Sequence, residues 1–167
     1  MKIAVIPGSF DPITNAHCDI ISRATKIFDF VHVCVLTNVN KKTMFTSEQR
    51  VDMIQKVIDS MGISNCKATS YEGLLSEFTK KVSAVATIRG IRNISDYEAE
   101  TAMADINFRL NNALETIILL SRPEFRAISS SVVREISAFG GDVSEFVPSI
   151  IVDDIKAHYN RKESFLP

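Results

Sequence analysis

Five short apolar segments recur along the 167-residue chain, and each is separated from the next by a segment with helical spacing. The apolar segments are rich in Val, Ile and Thr, which is typical of strands buried on both faces of a sheet. Strands that alternate with helices need crossover connections, and these favour a parallel sheet. The sequence therefore predicts an α/β fold, a doubly wound parallel five-stranded sheet with helices on both faces. The predicted strands are 2–6, 31–36, 65–69, 84–88 and 115–120.

Two pairs of residues have the spacing of a capping box, in which each side chain bonds the other residue's backbone N–H. Thr46 is followed by Gln49, and Ser95 is followed by Glu98. Each pair predicts the first turn of a helix. Further helices are predicted over 74–82, after Ser129 and after Pro148.

The composition is that of one globular domain without a strong overall charge. Apolar residues make up 46% of the chain, which is enough for one well-packed core. We therefore expect a single domain over residues 1–160 and a loosely held tail over 161–167. The formal net charge of −1 offers no overall attraction for nucleic acid or for an anionic membrane.

The sequence lacks the marks of a membrane span, a secretory signal or a disulfide framework. No apolar run approaches the roughly 18 residues of a span, and Pro and Gly interrupt the opening MKIAVIPGSF too early for a signal-peptide core. Cys18, Cys34 and Cys66 include no C-x-x-C pair, and His32 and His158 have no metal-ligand spacing to them. Cys18 lies beside His17, but neighbouring residues on a helix point in different directions, which argues against a shared metal site. We expect a cytoplasmic protein with reduced, structural cysteines and no protein-held metal site.

The segment that follows the first predicted strand is PGSFDPITNAH, residues 7–17. Ligands of doubly wound sheets bind beyond the carboxyl ends of the strands. Gly8 allows a close approach of the backbone, Ser9 offers a hydroxyl, and His17 falls in the first turn of a helix, where backbone N–H groups favour an anion. The pattern indicates a nucleotide-binding turn, although a plain βα turn with a capping His has the same composition.

The segments after three other strands also carry groups that suit phosphate. Lys41 lies beside a second lysine, a pair that is either solvated or placed to hold a phosphate. Arg89 and Arg92 flank Gly90, and two guanidinium groups beside a glycine suit bidentate phosphate binding. The segment RAISSSVVRE places three serines at a predicted helix N-terminus, where backbone amides and hydroxyls can cradle phosphates.

Taken together and in this order, these segments resemble the phosphopantetheine adenylyltransferase family, whose members transfer AMP from ATP to 4′-phosphopantetheine in coenzyme A biosynthesis. The resemblance covers about residues 1–155 and rests on PGSFDPIT, KKTMF, RGIRNISDYE, ISSSVVRE and GGDVSEFVP. The wider nucleotidyltransferase superfamily carries a T/H-x-G-H signature and a serine-rich motif. Here the signature is TNAH, with Ala16 where the family has Gly. We expect Ala16 to lie in ordinary helical or pre-helical backbone.

The resemblance also implies roles for individual residues. His17 would contact the α-phosphate and stabilise the transition state of an in-line attack without a covalent enzyme intermediate. The implied catalytic residues are His17, Lys41, Arg92 and Ser130. The implied phosphopantetheine-binding residues are Ser9, Lys41, Leu75 and Arg89. The implied ATP-binding residues are Ser9, Phe10, His17, Gly90, Ile91, Arg92, Glu100, Phe125, Arg126, Ala127, Ile128, Ser129, Ser130 and Ser131.

The same resemblance implies Mg²⁺ bound with ATP, a homohexamer and feedback binding of coenzyme A. Two other functions stay open on the residues alone. One is a different nucleotidyltransferase of the superfamily, acting on nicotinamide mononucleotide or glycerol phosphate. The other is a nucleotide-binding module without enzymatic activity.

Overall fold

A computed structural model describes residues 1–37 and 43–163, so Lys41 lies outside the described residues. Five strands form one parallel sheet in the order β3-β2-β1-β4-β5. This arrangement confirms the predicted fold class. The strands are β1 Ile3–Gly8, β2 Phe30–Leu36, β3 Cys66–Tyr71, β4 Ala86–Ile91 and β5 Glu115–Leu120.

Helices cover both faces of the sheet, as the alternation of buried residues shows. Val33 on β2 packs in a large apolar cluster that includes Ile54 and Val133, whereas the next residue, Cys34, packs in a separate cluster with Phe78. Successive strand residues point to opposite faces, so each face has its own helices. The helices are α1 Asn15–Ala24, α2 Ser47–Ser60, α3 Leu75–Lys81, α4 Ile94–Leu110, α5 Ser130–Ala138 and α6 Val152–Glu163.

One of the two predicted helix starts is confirmed and the other is wrong. The Thr46 hydroxyl accepts a hydrogen bond from the Gln49 backbone at 3.3 Å, and the Gln49 side chain accepts one from the Thr46 backbone at 2.9 Å. By contrast, α4 begins after Asn93, whose side chain accepts a hydrogen bond from the backbone of Asp96 at 2.8 Å. Asn caps a helix as well as Ser does, and starting earlier places Ser95 inside the first turn.

Strands β1 and β4 run further than their sequences predict. Pro7 and Gly8 stay paired with β2, and Arg89 to Ile91 stay paired with β5. Arg89 and Gly90 are therefore strand residues and not part of a loop. The apolar pattern misses these ends because pairing with an outer neighbour keeps polar and glycine residues in extended backbone.

The sheet opens between β1 and β4 towards its carboxyl edge. These two strands pair at Ala4 with Ala86 and at Val5 with Thr87, and beyond that point each pairs with its outer neighbour. The strand order also reverses direction here, since β2 and β3 lie on one side and β4 and β5 on the other. Parallel sheets bind ligands at such a switch point.

The three cysteines are free, with Cys34 and Cys66 buried and Cys18 half-buried. Burial raises the pKa of each thiol to about 12, so none is a thiolate near neutral pH. No helix within the described residues is both long and apolar enough to cross a membrane.

Candidate active site

A cavity of about 280 Å³ occupies the opening between β1 and β4, and the first turns of α1 and α5 close its sides. The chain folds this way because β1 and β4 separate there and both helices follow loops at the same sheet edge. The cavity brings together most of the residues that the sequence analysis assigned to ATP. Those that line it are Ser9, Phe10, His17, Gly90, Arg92, Glu100, Ile128, Ser129 and Ser130, together with Arg89.

His17 lies in the first turn of α1 and lines this cavity. The backbone N–H of Thr14 donates a hydrogen bond to Nδ1 of His17 at 3.0 Å. Because an N–H can only donate, Nδ1 accepts, and the neutral ring carries its proton on Nε2. The ring of Phe10 packs edge-on against the imidazole, with centroids 5.0 Å apart. The imidazole is therefore held as an N–H donor in a fixed orientation.

The surroundings of His17 oppose its protonation. Burial, followed by the positive charges of Arg92 and Arg89, lowers its pKa to about 4. A neutral imidazole near pH 7 can donate a hydrogen bond to a phosphoryl oxygen, but it has no spare proton to release as an acid. His17 is thus suited to stabilise developing negative charge rather than to act as a general acid.

Ala16 is the second residue of α1 and its side chain lines the same cavity. Its backbone is helical and its φ is not positive. This confirms the predicted backbone at the position where the family signature has Gly.

Arg89 projects from β4 at the boundary between two cavities. Its Nε donates to Glu100 Oε2 at 2.5 Å, a second guanidinium nitrogen donates to Glu100 Oε1, and Nη1 donates to the Pro7 carbonyl at 2.6 Å. The ion pair with Glu100 joins β4 to α4, and the bond to Pro7 spans the gap between β4 and β1. Arg89 is therefore oriented before any ligand binds, which lowers the entropic cost of binding an anion.

Arg92 is held in a similar way by Asp96 on the first turn of α4. Its Nε donates to Asp96 Oδ2 at 3.0 Å, and its backbone N–H donates to the same oxygen at 3.1 Å. Burial opposes the charge of Asp96, but these hydrogen bonds and the positive charge of Arg92 outweigh it and lower the pKa of Asp96. Asp96 therefore stays ionised near pH 7 and holds the Arg92 guanidinium at the cavity.

The serine-rich motif forms the N-terminus of α5, as predicted. Ser129 is the N-cap and accepts from the Val132 backbone at 3.2 Å. The Ser130 hydroxyl donates to the Pro12 carbonyl at 2.8 Å, and the Ser131 hydroxyl accepts from Arg134 at 3.1 Å. The Ser129 and Ser131 hydroxyls accept in these contacts, so their O–H groups can still donate, and together with the backbone N–H groups of Ser130 and Ser131 they can attract an anion.

A second cavity of about 250 Å³ adjoins the first and is mostly apolar. Leu75 at the start of α3 and Met103 on α4 lie on its wall. Pro7, Arg89 and Glu100 line both cavities, so a ligand in the second cavity can reach the Arg89 guanidinium. Leu75 belongs to this second cavity and not to the first.

Several residues assigned to ATP lie outside the first cavity. Ile91 and Arg126 line a neighbouring groove of about 370 Å³, which shares Arg92 and Ser121 with the first cavity. The structure does not place Phe125, Ala127 or Ser131 on the wall of the cavity.

The sequence analysis missed three charged residues that support the site. Arg50 on α2 is 3% exposed and donates to the Ser9 carbonyl at 2.7 Å. Arg134 on α5 donates to the carbonyl of Asp11 at 2.5 Å, and Asp11 is itself buried. One signal was available, since Arg50 precedes Ile54 by four residues and so shares the buried face of α2.

Within residues 1–37 and 43–163, no group of three or more His, Cys, Asp or Glu side chains lies close enough to hold a metal ion.

Comparison with known proteins agrees with this geometry. The cytidylyltransferase-like family matches residues 5–136. A Finegoldia magna protein named phosphopantetheine adenylyltransferase is 49% identical over 156 residues, which cover 93% of this chain and 95% of that protein. A Heliobacterium modesticaldum protein of the same name is 44% identical over 159 residues, which cover 95% of this chain and 94% of that protein.

Among solved structures, the nicotinic acid mononucleotide adenylyltransferase of Plasmodium falciparum aligns with a TM-score of 0.69. The alignment covers 98% of this chain and 96% of that chain at 17% identity. This likeness shows a shared Rossmann-like nucleotidyltransferase fold, while the close sequence relatives show the family. The chain belongs to the phosphopantetheine adenylyltransferase family.

Proposed function

We propose that the protein transfers AMP from ATP to the phosphate of 4′-phosphopantetheine, giving dephospho-coenzyme A and pyrophosphate. The observation that carries this proposal is the neutral His17, fixed as an Nε2–H donor in a cavity that also holds Arg89 and Arg92. Such a site is built to stabilise negative charge on a phosphoryl group. The relatives that bear this activity in their names share nearly the whole chain.

In the proposed reaction, an oxygen of the acceptor phosphate attacks the α-phosphorus of ATP in line, and the bond to pyrophosphate breaks. A phosphate monoester is already an anion near pH 7, so the enzyme needs no general base and no covalent intermediate. Catalysis consists of positioning and charge stabilisation. His17 donates to the α-phosphate, Arg92 attracts the nucleotide phosphates, and Arg89 attracts the acceptor phosphate.

The second cavity suits the acceptor. Its apolar wall around Leu75 matches the pantetheine arm, and Arg89 lies where the arm's phosphate would meet ATP. Lys41 is proposed to bind the same phosphate on the strength of the family resemblance, and Ser9 is proposed to meet both substrates. Ser130 is proposed as a catalytic residue at the phosphates of ATP, and its hydroxyl also supports the loop by donating to the Pro12 carbonyl.

On the nucleotide side, the remaining proposals follow the cavity and its neighbouring groove. Phe10 and Gly90 would border the phosphates, and the groove of Ile91 and Arg126 extends the site. We propose that Mg²⁺ enters bound to the phosphates of ATP, because Mg²⁺ retains water and prefers phosphate oxygens. The other proposed ATP contacts are Glu100, Phe125, Ala127, Ile128, Ser129 and Ser131.

Assembly, regulation and location are proposed together with the activity. Helix α4 exposes Tyr97, Met103, Phe108 and Leu110, each at least 45% accessible, and such a surface favours self-association into the proposed homohexamer.

Coenzyme A carries the same adenosine and pantetheine parts as the product, so it would compete at this site as a feedback ligand. We place the reaction in the cytoplasm, with neither nucleic acid nor membrane as a partner.

One assay separates this function from the alternatives. The protein is incubated with ATP and Mg²⁺ together with 4′-phosphopantetheine, nicotinamide mononucleotide or glycerol 3-phosphate, and pyrophosphate release is measured. We expect pyrophosphate release only in the mixture that contains 4′-phosphopantetheine. Release with another acceptor would indicate a different nucleotidyltransferase activity. ATP binding without pyrophosphate release in any mixture would indicate a nucleotide-binding module without enzymatic activity.

A further inference from the structure

The loop between β1 and α1 is held through its backbone carbonyl groups. Three of these carbonyls, and that of Pro7 near the end of β1, accept hydrogen bonds from side chains that lie far away in the sequence, at distances of 2.5 to 2.8 Å. The pairs are Arg89 with Pro7, Arg50 with Ser9, Arg134 with Asp11, and Ser130 with Pro12. Three of the four donors are charged guanidinium groups, which make strong hydrogen bonds, so the loop is firmly fixed between α2, α5 and β4.

Asp11 joins the loop to the residues that precede α2. Its side chain is 4% exposed, and its two oxygens accept from the backbone of Phe45 at 2.9 Å and of Met44 at 2.7 Å. The guanidinium of Arg134 lies 3.7 Å from the same carboxylate. A buried carboxylate is costly unless it is paired and hydrogen-bonded, and here it has both kinds of partner.

Phe10 lies between the two anchored residues Ser9 and Asp11 and has an unusual backbone. Its φ of 45° falls in the left-handed region, which a bulky residue rarely adopts. Such a conformation persists only where the surroundings hold it. Its side chain is 2% exposed, and its ring is the one that packs against His17.

We propose that Asp11 is a positioning residue for His17. Arg50 anchors the loop at Ser9, just before Phe10, and Asp11 anchors it just after Phe10. Asp11 thereby holds the left-handed backbone that places the Phe10 ring against the imidazole. The same anchoring places Thr14, whose N–H selects the Nε2–H tautomer of His17. Asp11 does not line the cavity, and it acts through Phe10 and Thr14. The consequence for catalysis rests on the proposed function, while the effect on His17 does not.

The test uses the full chain labelled with ¹⁵N at histidine. NMR reports which ring nitrogen of each histidine carries the proton. We compare the wild type with Asp11→Asn, which keeps the shape of the side chain but cannot accept both backbone N–H groups. A second variant, Arg134→Gln, loosens the same anchor, because it removes the guanidinium that pairs with the Asp11 carboxylate and donates to the Asp11 carbonyl; its side chain is 31% exposed, so we expect the variant to fold. Lys56→Gln is the matched control, because it breaks an exposed ion pair with Asp154 that joins α2 to α6.

We expect His17 to show one tautomer in the wild type and in Lys56→Gln, and a mixture of tautomers in Asp11→Asn. His32 on β2 is the internal reference and should be unchanged in all proteins. If Asp11→Asn folds, its NMR spectrum is the deciding one. If it does not fold, the NMR spectrum of Arg134→Gln decides. A single unaltered His17 tautomer in the deciding variant overturns the proposal, whatever stability that variant has lost.

Kinetics then connect this role to the activity. We expect the deciding variant to lower kcat for pyrophosphate release at least about tenfold while the KM for ATP changes less than about threefold, because His17 acts mainly in the transition state. A wild type that releases no pyrophosphate with any acceptor would refute the proposed function, and the NMR comparison would still decide the role of Asp11.

Discussion

Thr14 and His17 face each other across the first turn of α1, with the backbone N–H of Thr14 3.0 Å from Nδ1 of His17. A Glu or Gln commonly fills this position of a capping box and accepts the same N–H. Here an imidazole does so, and the helix cap thereby sets which nitrogen donates towards the cavity. A local feature of helix initiation thus becomes a property of the site.

The first prediction concerns the replacement of that imidazole. His17→Ala should lower kcat for AMP transfer at least about a hundredfold, because it removes a donor that meets developing charge. ATP affinity should change much less, since the ground state needs this donor less. Steady-state kinetics and calorimetry measure the two effects. His17→Gln, which keeps an N–H donor, is the matched variant and should retain more activity, whereas equal losses in kcat and affinity would assign His17 to substrate binding.

A second prediction follows from the lowered pKa of His17. The folded pKa of about 4 lies below the ordinary value of 6.5, so the unfolded chain binds more protons between these values. The free energy of unfolding should therefore fall as the pH falls from 6.5 to 4, with a contribution from His17 of at most about 3 kcal/mol. Denaturant unfolding of the wild type and of His17→Gln at several pH values measures this contribution. Parallel pH profiles for the two proteins would show that His17 titrates normally in the folded state.

The third prediction divides the cations by substrate. Arg89→Ala and Lys41→Ala should weaken 4′-phosphopantetheine binding, and Arg92→Ala should weaken ATP binding, each by at least about tenfold, because each removes a charged hydrogen-bond donor. Titration calorimetry with each ligand measures this. Since Arg89→Ala also leaves Glu100 without its partner, the double variant with Glu100→Gln separates lost phosphate binding from an unpaired carboxylate. Normal affinity of Lys41→Ala for 4′-phosphopantetheine would show instead that Lys41 is a solvated surface residue.

The fourth prediction concerns Ala16, which replaces the Gly of the family signature. Because its backbone is helical, Ala16→Gly should lower the free energy of unfolding by up to about 1 kcal/mol. The KM for ATP should change less than about tenfold, a difference of roughly 1.4 kcal/mol. Thermal unfolding and kinetics check both effects. An inactive wild type that gains activity in Ala16→Gly would show instead that the alanine blocks the nucleotide.

The sequence by itself determined the elements that depend on local patterns. Five apolar segments rich in β-branched residues predicted the five strands, although β5 is an edge strand with no buried residue. Thr46 with Gln49 marked a helix start because both partners lie within one turn. The same local reasoning placed His17 in a first helical turn and the serines at the start of α5. From these elements the fold class and the sheet edge that carries the site follow.

Tertiary structure alone decided how far the strands run and what holds the site together. The sheet opens between β1 and β4 because each of these strands stays paired with its outer neighbour. This pairing cannot be predicted from any single segment. No sequence pattern marked Asp11 as buried, and its carboxylate pairs with Arg134, more than a hundred residues away. Long-range partners of this kind leave no periodic pattern in the sequence, because the two residues become neighbours only when the chain folds.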